Sequence, residues 1–140
     1  MLFRSYLPLK ELMEQSDIVT LHCPVTEQSK GMINKESLSF MKEGAILINA
    51  ARGPVVDSHD LAQALHSGKL AGAGIDVFET EPPLDKEHPL LHTPNTIVTP
   101  HVAFATAESM EKRAKIVFDN IHKWLDGNQI NKIKIGRAHV

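Results

Sequence analysis

A single cysteine, Cys23, stands in this chain of 140 residues, so an intramolecular disulfide is excluded and a reducing, cytoplasmic setting is expected. No run of about 18 apolar residues occurs, which excludes a membrane-spanning helix of ordinary length. The opening Met1 to Pro8 lacks a long apolar core with a small-residue cleavage site and makes a poor secretory leader. Excess charge is missing too: 15 Lys and Arg against 17 Asp and Glu leave a net charge of −2, which gives no electrostatic case for nucleic acid or an anionic membrane. The 8 histidines are scattered without paired ligand spacing, so no metal site is expected. There is no internal repeat. Nor is there a Gly-x-Gly-x-x-Gly fingerprint: Gly72-Ala-Gly74 has Val77 where the third glycine belongs and leads into a strand, so it reads as small residues permitting close packing.

What is present is an alternation of helical and strand patterns within a length that suits one domain. Pro8 opens a short helix with Leu9, Leu12 and Met13 on one face, ending near Ser16 and Asp17. Ile18 to His22 follows as a strand, stopped by Pro24. Asn34 is an N-cap for a helix carrying Leu38 and Met41, which Gly44 is expected to close. Ala45 to Ile48 is continuously apolar, as a strand covered on both faces should be. Asp57 or Ser58 caps a helix whose Leu61, Ala64 and Leu65 pack inward before Gly68. Ala73 to Val77 and Ile97 to Thr99 are further strands. A long helix over 105–127 repeats Met110, Ala114, Val117, Phe118, Ile121 and Leu125 on one face and keeps Glu111, Lys112, Lys115 and Asp119 on the wet one. Strands alternating with helices predict parallel βαβ units and an α/β fold.

The stretch from Asn49 to His101 carries the chemistry. Three apolar strand-like runs each meet Gly or Pro; the second holds Asp76, and the loops that follow hold Arg52, Glu79, Glu81 and His101. In an open parallel sheet such loop ends collect at one edge, where ligands bind. A guanidinium can grip a carboxylate through two parallel donors, and an imidazole can move a proton near neutral pH. The other histidines, including His22, His59 and His88, read as surface or packing residues.

Asn-Ala-Ala-Arg-Gly-Pro-Val-Val-Asp from Asn49, Gly-Ala-Gly-Ile-Asp-Val-Phe-Glu-Thr-Glu-Pro from Gly72, and Thr-Pro-His from Thr99 resemble the C-terminal signatures of the D-isomer-specific 2-hydroxyacid dehydrogenases. The three motifs occur in the family's order and spacing. The resemblance runs from about Leu9 to Ile133 and implies a partial Rossmann-like parallel sheet with flanking helices, a dinucleotide-binding domain over 1–133 that lacks the first βαβ unit and the substrate domain. It implies NAD as cofactor, with NADP left open, a small 2-oxo or 2-hydroxy acid as substrate, and a homodimeric parent enzyme.

Residue by residue, the resemblance assigns His101 as the acid/base group, Glu81 as the carboxylate that partners it, and Arg52 as the substrate-carboxylate clamp. Glu79 is the competing acid and reads as solvated. Cys23 and Pro24 are implied on the adenosine side of the cofactor. Ala50, Ala51 and Arg52 are implied along its nicotinamide half, with Asp76 near the nicotinamide amide and His101 also against the cofactor. Cys23 also suits a small buried apolar role, and Asp57 a helix cap. Phe104 would border the substrate pocket and favour an unphosphorylated acid.

Two alternatives accompany the dehydrogenase reading: an NAD-sensing corepressor-like binding module, and a remnant without cofactor affinity. The second follows from the missing Gly-rich turn. The hexapeptide Ile135 to Val140 breaks with the residues before it, and one reverse translation resembles a sequencing adapter, so 134–140 is expected to be a non-native tail.

Overall fold

The computed structural model describes residues 5–80 and 83–132, and the expected tail at 134–140 lies outside them. Two compact units result, one ending at Ala103 and the other beginning at Phe104.

The first unit contains α1 (Leu9–Gln15), β1 (Ile18–Leu21), α2 (Lys35–Phe40), β2 (Ala45–Asn49), α3 (Ser58–His66), β3 (Leu70–Ile75) and β4 (Thr96–Val98). All strand pairs are parallel and the sheet runs β1-β2-β3-β4, in chain order. This is the α/β parallel sheet that the sequence pattern predicts.

Local chemistry sets the helix starts. The Asn34 side chain accepts from the backbone amides of Glu36 and Ser37, and Ser37 Oγ accepts in return from the Asn34 backbone N–H, which completes a capping box. Asp57 caps α3 by accepting from Asp60 N at 3.0 Å, so its structural role is met at the helix end. Gly68 follows α3 closely with a left-handed φ of +76°. Gly44 has the same φ but does not close α2, which ends at Phe40. Met41 is the C-cap, its extended backbone having already left the helix, and Gly44 instead turns the chain into β2.

One core joins one face of the sheet to the three helices. Val19, Leu21, Ala45, Leu47, Leu70, Ala73 and Ile75 are buried with Met13, Leu38, Met41, Leu61, Ala62 and Leu65. The other face carries Ile18, Ile46, Ile48 and Ile97, aligned as Ile18, Ile46 and Gly72 in one row and Thr20, Ile48, Gly74 and Ile97 in the next. These isoleucines are exposed, Ile97 to 74%. β2 is therefore covered on one face among the described residues, not on both as its apolar run suggests. Each strand advances the same way across the sheet, and right-handed crossovers between such strands deliver every connecting helix to the same side.

The second unit holds α4 (Ala107–Leu125). Thr106 caps it, accepting from Ser109 N while Ser109 Oγ accepts from Thr106 N. The apolar stripe is present, but no residue of the helix is buried, and Phe118, Trp124 and Leu125 are all more than half exposed. Periodicity marks an apolar face; it does not say what covers it. No described helix is long and apolar enough to cross a membrane.

Candidate active site at the strand C-termini

Parallel pairing places the C-terminal ends of all four strands along one edge of the first unit. β1 delivers Cys23 and Pro24 there. Cys23 is half-buried against the core, and the Pro24 carbonyl accepts from Ser29 Oγ at 2.7 Å.

β2 ends in Asn49, whose side chain is fully enclosed and organises the turn beyond it. Its Nδ2 donates to the Arg52 carbonyl at 3.0 Å, and its Oδ1 accepts from Ala51 N at 3.1 Å. Ala50, Ala51 and Arg52 are thus wrapped around a buried amide. Arg52 points outward: the side chain is exposed, its Nη1 donates to the Ala51 carbonyl at 2.6 Å, and it makes no ion pair with a described carboxylate. Gly53 then passes so close to the loop after β3 that a Cβ on it would lie 1.8 Å from the Phe78 carbonyl oxygen. Only glycine permits that approach.

β3 delivers Asp76, 5% exposed, and its backbone N–H donates to the Asn49 carbonyl at 2.9 Å. Its carboxylate receives three bonds from the segment after β4. Thr99 Oγ1 donates to Oδ1 at 2.5 Å, Val102 N to Oδ1 at 2.8 Å, and Ala103 N to Oδ2 at 2.9 Å. Burial alone would raise the Asp76 pKa, but the Thr99, Ala103 and Val102 donors and the nearby His101 ring hold it below the ordinary carboxylate value. The group is enclosed by its own donors at the sheet edge instead of by the apolar core.

β4 delivers Thr99, Pro100 and His101. His101 is partly buried, adopts a left-handed φ of +59°, and donates from its backbone N–H to the Thr99 carbonyl at 3.0 Å. A left-handed non-glycine residue is uncommon and marks a backbone held by its surroundings.

The two acidic candidates separate. Glu81 lies outside the described residues. Glu79 is exposed, as expected of a solvated acid, and it also has a partner: its Oε2 is 3.2 Å from Nε2 of His88. The His88 ring stands edge-on to Phe78, with centroids 5.2 Å apart, and its Nδ1 accepts from Leu90 N at 3.4 Å. That acceptor role assigns the ring proton to Nε2, facing the carboxylate. Burial would raise the Glu79 pKa, while Ser58, its own backbone amide and His88 together lower it. His88 keeps the packing role read from sequence, and Glu79 is its clasp.

Sequence reasoning missed Asn49, Thr99 and the paired amides of Val102 and Ala103 as organisers of this edge. An asparagine at a strand end followed by small residues was the available signal for the first; the others depend on strand order. An apolar cavity of about 300 Å³ lined by Phe78, Leu84, Leu91, Val98, Thr99 and Pro100 adjoins the His101 turn. A groove of about 400 Å³ lined by α2 and α3 residues, Lys35 and Asp60 among them, lies away from these loops. Among the described residues no His, Cys, Asp or Glu cluster could hold a metal ion. Phe104 belongs to the second unit, where the Arg113 guanidinium lies 4.6 Å from its ring centroid.

Small Ala50 and Ala51 stand beside an outward arginine, and among the described residues the second oxygen of Asp76 accepts one bond, from Ala103 N. An acceptor-only carboxylate at this edge is the chemistry that the NH₂ of a carboxamide would need.

Comparison with known proteins identifies the family. Residues 2–103 match the D-isomer specific 2-hydroxyacid dehydrogenase, NAD binding domain. A hydroxypyruvate reductase of Blautia hydrogenotrophica is 42% identical over 128 residues, covering 91% of this chain and 39% of that protein. The NAD-complexed D-isomer specific 2-hydroxyacid dehydrogenase of Lactobacillus delbrueckii ssp. bulgaricus superposes with a TM-score of 0.81 at 32% identity, over 93% of this chain and 43% of that one. The D-lactate dehydrogenase of Aquifex aeolicus, solved with NAD and lactic acid, gives a TM-score of 0.76 at 37% identity over 89% and 41%. The chain thus spans about two-fifths of the length of these relatives. It belongs to the D-isomer-specific 2-hydroxyacid dehydrogenase family, in its NAD-binding domain.

Proposed function

We propose that this chain supplies the NAD-binding, catalytic edge of an oxidoreductase that interconverts a small 2-oxo acid and its D-2-hydroxy acid. The observation that carries the reading is that an outward Arg52 and a left-handed His101 stand on two loops that Asn49 and Asp76 tie together. Arg52 presents two parallel donors to the substrate carboxylate and polarises the adjacent carbonyl. His101 gives a proton to the oxygen on the second carbon during reduction and takes it back during oxidation. Glu81 favours the protonated ring and fixes its tautomer. Cys23 and Pro24 border the adenosine side, and Ala50, Ala51, Arg52, Asp76 and His101 border the nicotinamide. Bound NAD supplies or accepts the hydride.

Residues 1–133 serve as part of the dinucleotide domain, and the parent enzyme works as a cytoplasmic homodimer without nucleic acid. Single Cys23 and the balanced charge support that setting.

The experiment is NADH oxidation by the full-length protein carrying this chain, offered glyoxylate, hydroxypyruvate and pyruvate. Turnover of at least one 2-oxo acid is expected. Saturable NADH binding with no turnover of any of them would favour a binding module and overturn the proposal.

A further inference from the structure

We infer that Asp76 is a positioning residue that sets His101 against Arg52. This rests on the acid/base role proposed for His101, but the geometry extends beyond that role. The carboxylate takes a bond from Thr99, on the near side of the histidine, and from Val102 and Ala103 on its far side. All three donors belong to the turn that carries His101, and the two successive amides converge on one anion as in a backbone nest. Between them His101 is held at a φ of +59°, a conformation uncommon for a non-glycine residue.

The same residue reaches the other loop. Its N–H bonds the Asn49 carbonyl, and the Asn49 side chain bonds the Arg52 carbonyl. One continuous chain of hydrogen bonds therefore runs from the Arg52 backbone through Asn49 and Asp76 to both flanks of His101. A carboxylate suits its centre because it is acceptor-only and can satisfy three donors at once. Asparagine at 76 would keep one acceptor and turn an NH₂ towards a backbone N–H.

The test has two arms, using Asp76→Asn, Thr99→Val and Thr99→Ser. In the 140-residue chain, amide hydrogen exchange at Val102 and Ala103 is expected to speed up at least about tenfold in Asp76→Asn, with Leu47 in β2 changed far less. Unchanged exchange at both amides, or equal acceleration at Leu47, would overturn the positioning role. In the full-length dehydrogenase, Asp76→Asn and Thr99→Val are expected to lower kcat about tenfold or more, Thr99→Val with KM for NADH nearly constant, and Thr99→Ser to restore kcat. A raised KM for NADH at normal kcat would make Asp76 a cofactor contact only and overturn the inference. If the unsubstituted enzyme reduces no 2-oxo acid, the proposed function fails, while the exchange result still decides whether Asp76 holds the turn.

Discussion

Gly53 and Phe78 touch backbone to backbone: a Cβ on the glycine would stand 1.8 Å from the Phe78 carbonyl oxygen. That approach locks the exit loop of β2 to that of β3, and so places the Arg52 turn beside the segment that begins at Asp76.

Gly53→Ala is expected to destabilise the chain by about 1–3 kcal/mol, because two backbones must separate and no flexible side chain can absorb the overlap. Thermal unfolding would show a fall in Tm of roughly 5–15 °C. Gly74→Ala is the control, since its Cβ would meet only Ile48 side-chain carbons at 3.9 Å. An unchanged Tm for Gly53→Ala would mean that the two loops do not touch.

Acid should weaken the site edge. Asp76 and Glu79 both have folded-state pKa values below their ordinary 3.8 and 4.5. A depressed carboxylate contributes stability that is present above its unfolded pKa and lost as pH falls through the folded value. The urea midpoint should therefore be steady above about pH 5 and decline below about pH 4. Asp76→Asn should flatten that decline, and an identical pH dependence in the variant would contradict the hydrogen-bonded carboxylate.

The 140-residue chain alone should bind NADH weakly and turn over no substrate. Dinucleotide affinity in this fold draws on backbone N–H groups of a Gly-rich turn at a helix N-terminus, and the sequence contains no such turn. Nicotinamide fluorescence during a titration checks this. Saturation at micromolar NADH would place the principal cofactor contacts in the loops at the strand ends.

In the full-length enzyme, Arg52→Lys should lower kcat/KM for the 2-oxo acid by about 100-fold, because lysine keeps the charge and loses the paired donors. NADH affinity should fall far less. Undiminished efficiency would give Arg52 a surface role.

Caps and strand cores were legible in the sequence because their causes are local. Asn34 and Asp57 stand where a side-chain oxygen must meet free amides, and Ala45 to Ile48 is apolar at every position. The bare side of the sheet was not legible. Ile46 and Ile48 look like Leu47 in sequence, and only the shared direction of the crossovers reveals that the helices all lie against Leu47. The site divides the same way. Arg52, Asp76 and His101 were all named from motifs, whereas the bonds from Thr99, Val102 and Ala103 to Asp76 exist only when β3 pairs with β4. The exposure of Glu79 was legible, but its contact with His88 was not, because His88 comes from a loop whose path the residue pattern does not specify.

The central claim is that the left-handed His101 at the end of β4 is the group that moves the substrate proton. Its most direct measurement is kcat for NADH-dependent reduction of a 2-oxo acid by the full-length enzyme and its His101→Ala variant. A loss of about 100-fold or more in kcat, with NADH binding retained, is the predicted result. Full turnover in the variant would contradict it.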